Sequence, residues 1–567
     1  MLLTRTSLAL AAAAALLSFW LSGRLGAELF QAYAADVWFQ ADLQRVIENM
    51  TDAGSNHYRN KVHPIASLLV YPFTKLLQVL LPLPDLLAAR AASAIWAGLW
   101  ALVLHALMVT LGLGPLAAAA FVLLAISSGS FVMFFSVPEL YHLGSLSMMA
   151  VLLGAAVAAR QGIGERAVLG LGIGSLAITT TNWMAGLALA FSHLPWRRAL
   201  RLSVLVLAIT AVLAIVQKLV FPSSGLFFLA PSGETLYVGR DEAGTVWHRL
   251  AAMLFHPMVV PDLVSLPPAK SDLWSLLSAQ KSPPGGSRGT GIFALAIWIA
   301  LLLAGLAGAR HLGPAYRRFL FVLFATLAGQ IGLHLVYGEE TFLYGLHFLP
   351  FLLTVAALSW FSPWRPAVVP AVCLLAVLVV VNNLAAFAEA ASHVERSLTE
   401  RERLKRAMAA RPDAGWPRNQ GHVVLGGPGT PLSRKGFHEP GGSFSPAPGS
   451  FGVSVWVTDA SGARIATSDT IPLAQVRQSL GAPGAAAVPA LSTNTPYYQS
   501  TWSWEGDHFA LRLTPAAMQA GQRLWVLLRS AGPSGAPLRS IRSEGARLIL
   551  NERWEVATRS AAGAVLG

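Results

Sequence analysis

The stretch DVWFQADLQRVIENMTDAGSNHYRNKVHPIASLLVYP, residues 36–72, follows the first hydrophobic segment of the chain and leads into the next. It places carboxylates, guanidiniums and imidazoles between two predicted membrane spans, of which the second begins at His63-Pro64. Charged side chains are costly inside a bilayer, so we expect this loop at the membrane surface. The chemistry of the protein is predicted to lie there.

The composition is that of a polytopic membrane protein, because 54% of the 567 residues are hydrophobic and only 12% are charged. About ten apolar runs of about 20 residues, each able to cross about 30 Å of hydrocarbon, precede residue 390. The predicted fold is an α-helical polytopic membrane bundle of about 11 spans over residues 1–390. The net charge of +13 comes from basic residues in short loops, so we expect no nucleic acid partner. The single cysteine, Cys373, excludes a disulfide framework and a thiolate metal site.

Basic residues predict which ends of the spans lie in the cytoplasm. The first segment has the composition of a secretory signal but no clear cleavage site, so we interpret it as an uncleaved helix with Arg5 inside. This makes the chain an integral, multi-pass protein of the inner (plasma) membrane. Three polar segments then lie outside: the first loop, 23–62, the loop 221–291, and residues 337–348. The strongest cytoplasmic markers are Arg197, Arg198, Arg201, Arg310, Arg317 and Arg318.

Two apolar stretches in the middle of the bundle, 116–159 and 167–192, contain polar and proline interruptions. The hydropathy permits either full spans or pairs of short broken helices. Irregular backbone at membrane depth is tolerated only where protein or a water-filled cavity satisfies it. Residues 127–142 and 179–183 are therefore candidate cavity walls, and ordinary serine and proline kinks are the alternative.

The composition changes after the last long apolar run. Residues 391–420 begin with a charged stretch that predicts a solvated linker helix, and residues 421–567 contain short alternating segments around turn residues such as Asp459 to Gly462. This pattern predicts a small, β-sandwich-like soluble domain. We expect this β-rich domain on the extracytoplasmic side.

Asp42 is the first candidate catalytic residue, and Asp36 is the second. Asp42, Arg45 and Asn49 follow one another at helical spacing, so they share one face of a helix. A carboxylate beside an arginine can accept a proton from a hydroxyl group or ligate a divalent metal. A helix cap or a surface ion pair explains either residue alone equally well.

Cations and hydrogen-bond donors are concentrated in the same loop. Arginine and lysine near a membrane surface are natural ligands for a lipid phosphate, and arginine binds it through a bidentate fork. The candidate phosphate-binding residues are Arg45, His57, Tyr58, Arg59, Lys61 and His63.

Further polar side chains at span ends are candidates for substrate binding. Glu340, Tyr344 and His347 are spaced so that one helical stripe would carry all three. Such a stripe is costly in a membrane unless a cavity solvates it, although each residue alone can simply mark the headgroup boundary. The candidate substrate-binding residues are Glu139, His142, Asn182, Glu340, Tyr344 and His347.

The sequence resembles the C-type (GT-C) glycosyltransferases in four features. These are the D-x-x-R motif at Asp42 and Arg45, the segment HYRNKVHP from His57, the proline-acid pair before Leu140 and the β-rich C-terminal region. That family includes the protein O-mannosyltransferases and the aminoarabinose transferases of lipid A. The similarity covers residues 1 to about 390. The adjacent acidic pair of some members is absent, and Asn182 lies where some members have a lysine.

The resemblance implies a membrane glycosyltransferase that uses a polyprenyl-phosphate sugar donor on the outer face of the membrane. It assigns the general base, or a metal-associated group, to an acid of the first loop, with Asp42 the best fit and Asp36 the second. A divalent metal is possible but not required, and the sugar and the acceptor stay open. The alternatives are a transporter or flippase for a lipid-linked or anionic substrate, and a membrane scaffold that displays the C-terminal domain.

Overall fold

The computed structural model describes residues 4–30, 37–229, 237–266 and 276–410, and beyond them the backbone of strands between residues 421 and 559. Side chains are described up to residue 396. The chain forms two compact units, Met1–Leu266 with Leu276–Arg396, and Pro267–Ser275 with Ser397–Gly567. The predicted domain boundaries at residues 390 and 420 stay predictions, and one helix continues through the first of them.

The first unit is almost entirely helical. The described α-helices of the chain, in order, are α1 (Arg5–Gly23), α2 (Leu43–Thr51), α3 (Ala66–Leu80), α4 (Asp85–Leu111), α5 (Pro115–Ser127), α6 (Gly129–Phe134), α7 (Tyr141–Gln161), α8 (Glu165–Ile178), α9 (Trp183–His193), α10 (Trp196–Val220), α11 (Val246–Leu254), α12 (Gly289–Ala309), α13 (Arg317–His334), α14 (Gly345–Ala357) and α15 (Arg365–Ala410), of which α15 belongs to the first unit up to Arg396.

Within the described part of the chain, seven helical segments are long and apolar enough to cross a membrane. The predicted polytopic bundle is therefore confirmed for these seven, and the total of about eleven spans stays a prediction. Helices such as α5, with 13 residues, are shorter than the roughly 20 residues that a bilayer requires. The seven segments are α1, α4, α7, α10, α12, the segment Thr341–Phe361 that contains α14, and the start of α15.

The end of α1 and the start of α4 lie at one end of the bundle, which we call the first-loop face. Helix α3 has 15 residues, about 22 Å of helix, so it is too short for the second span predicted at His63-Pro64. The Arg90 Nη2 atom, near the start of α4, donates to the carbonyl of Leu25 at 2.8 Å, just beyond α1. Helix α4 therefore begins where α1 ends and returns antiparallel to it. The predicted second span is corrected to a short helix at this face.

Helices α8 and α9 form a hairpin of two short helices, which answers the question that hydropathy left open. A Cβ atom added at Gly186 would lie 2.6 Å from Ser175 Oγ and 3.0 Å from Gly172 Cα, so the two helices pack on each other on either side of the turn. At the tip, the backbone N–H of Thr180 donates to the carbonyl of Val62 at 3.0 Å. The hairpin thus reaches the first-loop face from the opposite end of the bundle.

The opposite end, which we call the arginine face, lies where α4 and α7 finish. An exposed ion pair between Arg198 and Glu165, at 3.3 Å, joins the starts of α10 and α8 there. The Arg160 Nε atom donates to the Tyr316 hydroxyl at 3.3 Å. The cytoplasmic orientation of this end stays a prediction.

In the second unit, the backbone forms two sheets, one of five strands and one of six. The longest antiparallel pairs join β4 (Phe451–Thr458) to β10 (Arg523–Ser530) and β8 (Tyr498–Glu505) to β9 (His508–Pro515). The predicted β-sandwich-like domain of residues 421–567 stays a prediction. The remaining strands are β1 (Val264–Leu266) and β2 (Leu276–Ser278) of the first unit, and β3 (Gly421–Leu425), β5 (Arg464–Thr467), β6 (Ile471–Pro472), β7 (Thr493–Asn494), β11 (Pro537–Arg542), β12 (Arg547–Leu550) and β13 (Val556–Arg559).

Helix α12 packs closely against the C-terminal end of α14 because two glycines of α12 place no side chain in the contact. A Cβ atom at Gly305 would lie 1.8 Å from the carbonyl oxygen of Val355, and one at Gly308 would lie 2.0 Å from that of Leu358. Backbone atoms cannot rotate away as side chains can, so these two positions fix how near the helices lie.

Gly305→Ala is expected to destabilise the bundle by about 1–3 kcal/mol, the usual cost of overpacking. The measurement is the apparent melting temperature of the detergent-solubilised protein. Gly170→Ala in α8 is the matched control, since no heavy atom beyond its own helix lies within 4 Å of the added Cβ. An equal loss of stability in both variants would contradict the close contact at Gly305.

Candidate functional site

Asp42 and Arg45 form an ion pair across the first turn of α2. Their side chains are only 14% and 11% exposed, so the pair is largely buried and is not the surface ion pair that the sequence left possible. The predicted shared face of the helix is confirmed for these two residues. Charges removed from water in this way require partners.

Glu139 is the second carboxyl group of this site. It lies in the turn before α7, it is 4% exposed, and its Oε2 atom accepts a hydrogen bond from the backbone N–H of Leu140 at 2.6 Å. Asp42, Arg45 and Arg59 all lie near enough to interact with it electrostatically. Two carboxyl groups and two guanidiniums from separate parts of the chain therefore converge.

Burial and, second, the negative charge of Asp42 raise the pKa of Glu139 to about 7, against the hydrogen bond from Leu140 and the two arginines. Desolvation and a like charge both disfavour ionisation. Glu139 lies outside the membrane-spanning segments. A carboxyl group that titrates near neutrality is suited to proton transfer.

Aromatic side chains line the next part of the site. The ring of Tyr141, at the start of α7, is 5.5 Å from the ring of Tyr344 and 5.5 Å from that of His347. Tyr141 also interacts electrostatically with Glu139, Arg59 and Asp42. His334 stacks on Tyr344 at 4.1 Å. The structure thus brings Tyr344 and His347, both predicted from the sequence, beside Glu139 and Asp42.

Lys61 and Tyr58 lie in the 3-10 turn Tyr58–Lys61. The Lys61 Nζ atom is 4.4 Å from the centre of the Tyr58 ring and 3.3 Å from its hydroxyl oxygen. Lys61 is 5% exposed, so its ammonium is held on an aromatic face next to Arg59 in the same turn. Their predicted role in phosphate binding stays a prediction.

His57 has a different environment from the one expected of a phosphate ligand. Its Nδ1 atom is 2.7 Å from Ser67 Oγ, and its Nε2 atom is 3.2 Å from both Ser55 Oγ and the carbonyl oxygen of Asp52. Burial lowers the pKa of His57, against hydrogen bonds to nearby backbone, which favours a neutral ring. With both ring nitrogens engaged, the geometry favours a scaffolding role.

Three other predicted residues join helices together. The His63 Nδ1 atom lies 3.0 Å from the carbonyl oxygen of Ile178, at the tip of the α8–α9 hairpin. His142 stacks on Phe135 at 4.3 Å, and its Nε2 atom is 2.7 Å from the carbonyl oxygen of Phe134. Asn182 Nδ2 donates to the carbonyl of Gly144 at 2.9 Å. Their substrate contacts stay predictions.

Glu340 does not share a helical stripe with Tyr344 and His347, and that prediction is corrected. It precedes a 3-10 turn, Thr341–Tyr344, and α14 begins only at Gly345. Its Oε2 atom accepts a hydrogen bond from Ser278 Oγ at 2.5 Å. Burial raises its pKa to about 7, against that hydrogen bond and neighbouring backbone groups. Glu340 therefore secures the 276–280 segment to this turn.

Asp36, the second candidate base, lies outside the described residues. Among the residues that are described, no three histidine, cysteine, aspartate or glutamate side chains cluster as metal ligands would. The sequence reasoning did not single out Tyr141 or His334. Tyr141 could have been identified as a site residue from its position two residues after Glu139. His334 could have been identified as an imidazole within an apolar helix.

No family model and no curated protein matches this chain. Its structure is similar to that of ArnT from Cupriavidus metallidurans, solved bound to undecaprenyl phosphate, with 14% identity and a TM-score of 0.44. The match covers 72% of this chain and 81% of ArnT.

We expect the carboxyl groups of Glu139 and Glu340 to be protonated below about pH 7 and ionised above it, since burial raises both pKa values. Infrared spectra of the reconstituted protein between about pH 5 and about pH 9 report the protonated carboxyl band. Glu139→Gln and Glu340→Gln should each remove part of the change near neutrality.

Glu165→Gln is the control for that experiment, because the Glu165 side chain is 54% exposed at the arginine face. It should leave the titration near neutrality unchanged. A Glu139→Gln spectrum identical to that of the unmodified protein would disprove the buried, neutral-range carboxyl group.

Proposed function

We propose that this chain is a membrane glycosyltransferase that moves a sugar from a polyprenyl-phosphate donor to an acceptor hydroxyl at the first-loop face. The observation that carries the proposal is the convergence of Asp42 and Glu139 with Arg45 and Arg59. These groups supply what glycosyl transfer from a phosphate requires, namely a proton acceptor and cations for the leaving group.

The charge of this group of four suits an anionic donor. With Glu139 ionised, two carboxylates balance two guanidiniums, and with Glu139 protonated the group carries one positive charge. The phosphate of the donor would compete with the carboxylates for Arg45 and Arg59. Charge-assisted hydrogen bonds from arginine are among the stronger polar contacts, and they strengthen as charge develops on the departing phosphate.

In the proposed reaction, the acceptor hydroxyl oxygen attacks the anomeric carbon of the sugar. The bond from that carbon to the phosphate oxygen breaks, and the polyprenyl phosphate leaves with the electron pair. The hydroxyl proton passes to the Asp42 carboxylate. Glu139, which titrates near neutrality, exchanges protons with the Asp42–Arg45 pair. The phenols of Tyr141 and Tyr344 bind the sugar or the lipid phosphate.

Transport of a lipid-linked or anionic substrate is the rival function. Both functions place cations and acids at a membrane surface. They differ in product, because only the transferase forms a new glycosidic bond. A vesicle assay with a labelled polyprenyl-phosphate sugar therefore separates them, as transport moves the label without changing its chemical form.

Asp42→Asn is expected to lower transfer by at least about 100-fold, the usual contribution of a positioned base. The measurement is formation of labelled glycosidic product in proteoliposomes, with expression and melting temperature as checks on folding. Glu165→Gln is the matched control because Glu165 also pairs with an arginine, but at the other face. Full activity in Asp42→Asn would remove Asp42 from the proposed role.

Arg59→Gln is expected to weaken binding of a polyprenyl phosphate by about 10- to 100-fold, which corresponds to a charged hydrogen bond of about 1.5–3 kcal/mol. Equilibrium binding in detergent measures this without any transfer. Arg198→Gln, at an exposed ion pair of the arginine face, should bind as the unmodified protein does. Equal affinity in the two variants would exclude Arg59 as a phosphate ligand.

A further inference from the structure

The turn just before α2 has an unusual backbone conformation. Phe39 and Gln40 have φ values of 50° and 62°, and within the described part of the chain they are the non-glycine residues with positive φ. This left-handed region is disfavoured for residues with side chains, above all for a bulky one. Such a conformation persists only when surrounding contacts impose it. Asp42 follows two residues later.

Several contacts impose this conformation from both sides of the turn. The backbone N–H of Ala41 donates to the carbonyl of Trp38 at 2.9 Å, and that of Leu277 donates to Val37 at 2.9 Å. The indole Nε1 of Trp38 donates to the carbonyl of Met133 at 2.8 Å. The turn is thereby attached to α6 and to β2 before the chain enters α2.

The ring of Phe39 lies between the segments that carry Asp42, Glu139 and Tyr344. Phe39 is fully buried, with its ring 5.9 Å from that of Phe134 and 5.4 Å from that of Phe342. Phe134 ends α6, five residues before Glu139, and Phe342 lies two residues before Tyr344. Phe39 itself lies three residues before Asp42. One apolar side chain thus contacts all the segments that carry these polar groups.

We propose that Phe39, held in the left-handed conformation, is a positioning residue that sets the separation between the Asp42 and Glu139 carboxyl groups. It has no polar atom in its side chain, so it acts through the segments that it packs against. Its effect on transfer rests on the proposed function. Its effect on the electrostatics of Glu139 does not.

The electrostatic consequence of losing Phe39 has a definite sign. The charged groups that face Glu139 are Asp42, Arg45 and Arg59, with the N–H of Leu140. Asp42 immediately precedes α2 and Arg45 lies in its first turn, so they would move away from Glu139 together. Asp42 raises the pKa of Glu139 more strongly than Arg45 lowers it. Displacement of α2 should therefore lower the pKa of Glu139.

Phe39→Leu, made in a Glu340→Gln background, tests this with Glu139 as the remaining carboxyl group expected to titrate near neutrality. The infrared midpoint of Glu139 should shift to lower pH. In the transfer assay, kcat should fall by about 10- to 100-fold, because small misplacements of reacting groups slow a reaction by such factors. This fall in kcat should be larger than the rise in KM for the donor. Phe39→Met, a milder change of volume, should shift the midpoint in the same direction and serves if Phe39→Leu fails to fold.

Phe319→Leu is the matched control, because Phe319 is also fully buried but packs near Tyr316 at the arginine face. It should leave the midpoint and kcat unchanged. An unshifted midpoint in both Phe39 variants, or an equal shift in Phe319→Leu, overturns the positioning role. If the unmodified protein forms no glycosidic product, the proposed function fails, and the midpoints still decide whether Phe39 positions the two carboxyl groups.

Discussion

The constraint on which this structure depends is the burial of opposite charges at the edge of a membrane. A carboxylate or a guanidinium taken out of water is stable only beside a partner. Asp42 and Arg45 supply one such pair, and Glu139 and Arg59 extend it. Separating any one of them from the rest would leave an unpaired charge in a poorly solvated place. The four groups therefore help to hold their segments together.

The helical arrangement follows from the need to bring these segments to one face. The end of α1 and the start of α4 meet at that face, and the tip of the α8–α9 hairpin reaches the same face from the opposite end of the bundle. Helix α7 begins there, two residues after Glu139. Short helices that do not cross the bilayer alone are acceptable because protein surrounds their ends and satisfies their backbone.

Local sequence patterns predicted much of this. Apolar length predicted the membrane helices, and helical spacing predicted that Asp42 and Arg45 meet. The errors arose where position depends on distant contacts. Glu340 was assigned to a helical stripe because spacing cannot reveal that a 3-10 turn precedes α14. His57 was grouped with the cations, although the neighbouring Ser55 and Ser67 of α3 engage its ring. The electrostatic contact of Glu139 with Asp42 likewise cannot be predicted from periodicity.

The raised pKa of Glu139 gives the site a charge that changes within the physiological range. Protonation leaves an excess positive charge beside Arg59, which favours an anionic ligand, and binding of that ligand must in turn favour protonation. Loss of the anion reverses this and releases the proton. A phosphate that leaves during a reaction would therefore be coupled to the protonation of Glu139. This coupling requires Asp42 to stay near Glu139. The Phe39 ring, although uncharged, therefore affects the electrostatics of the site by fixing the separation of these two carboxyl groups.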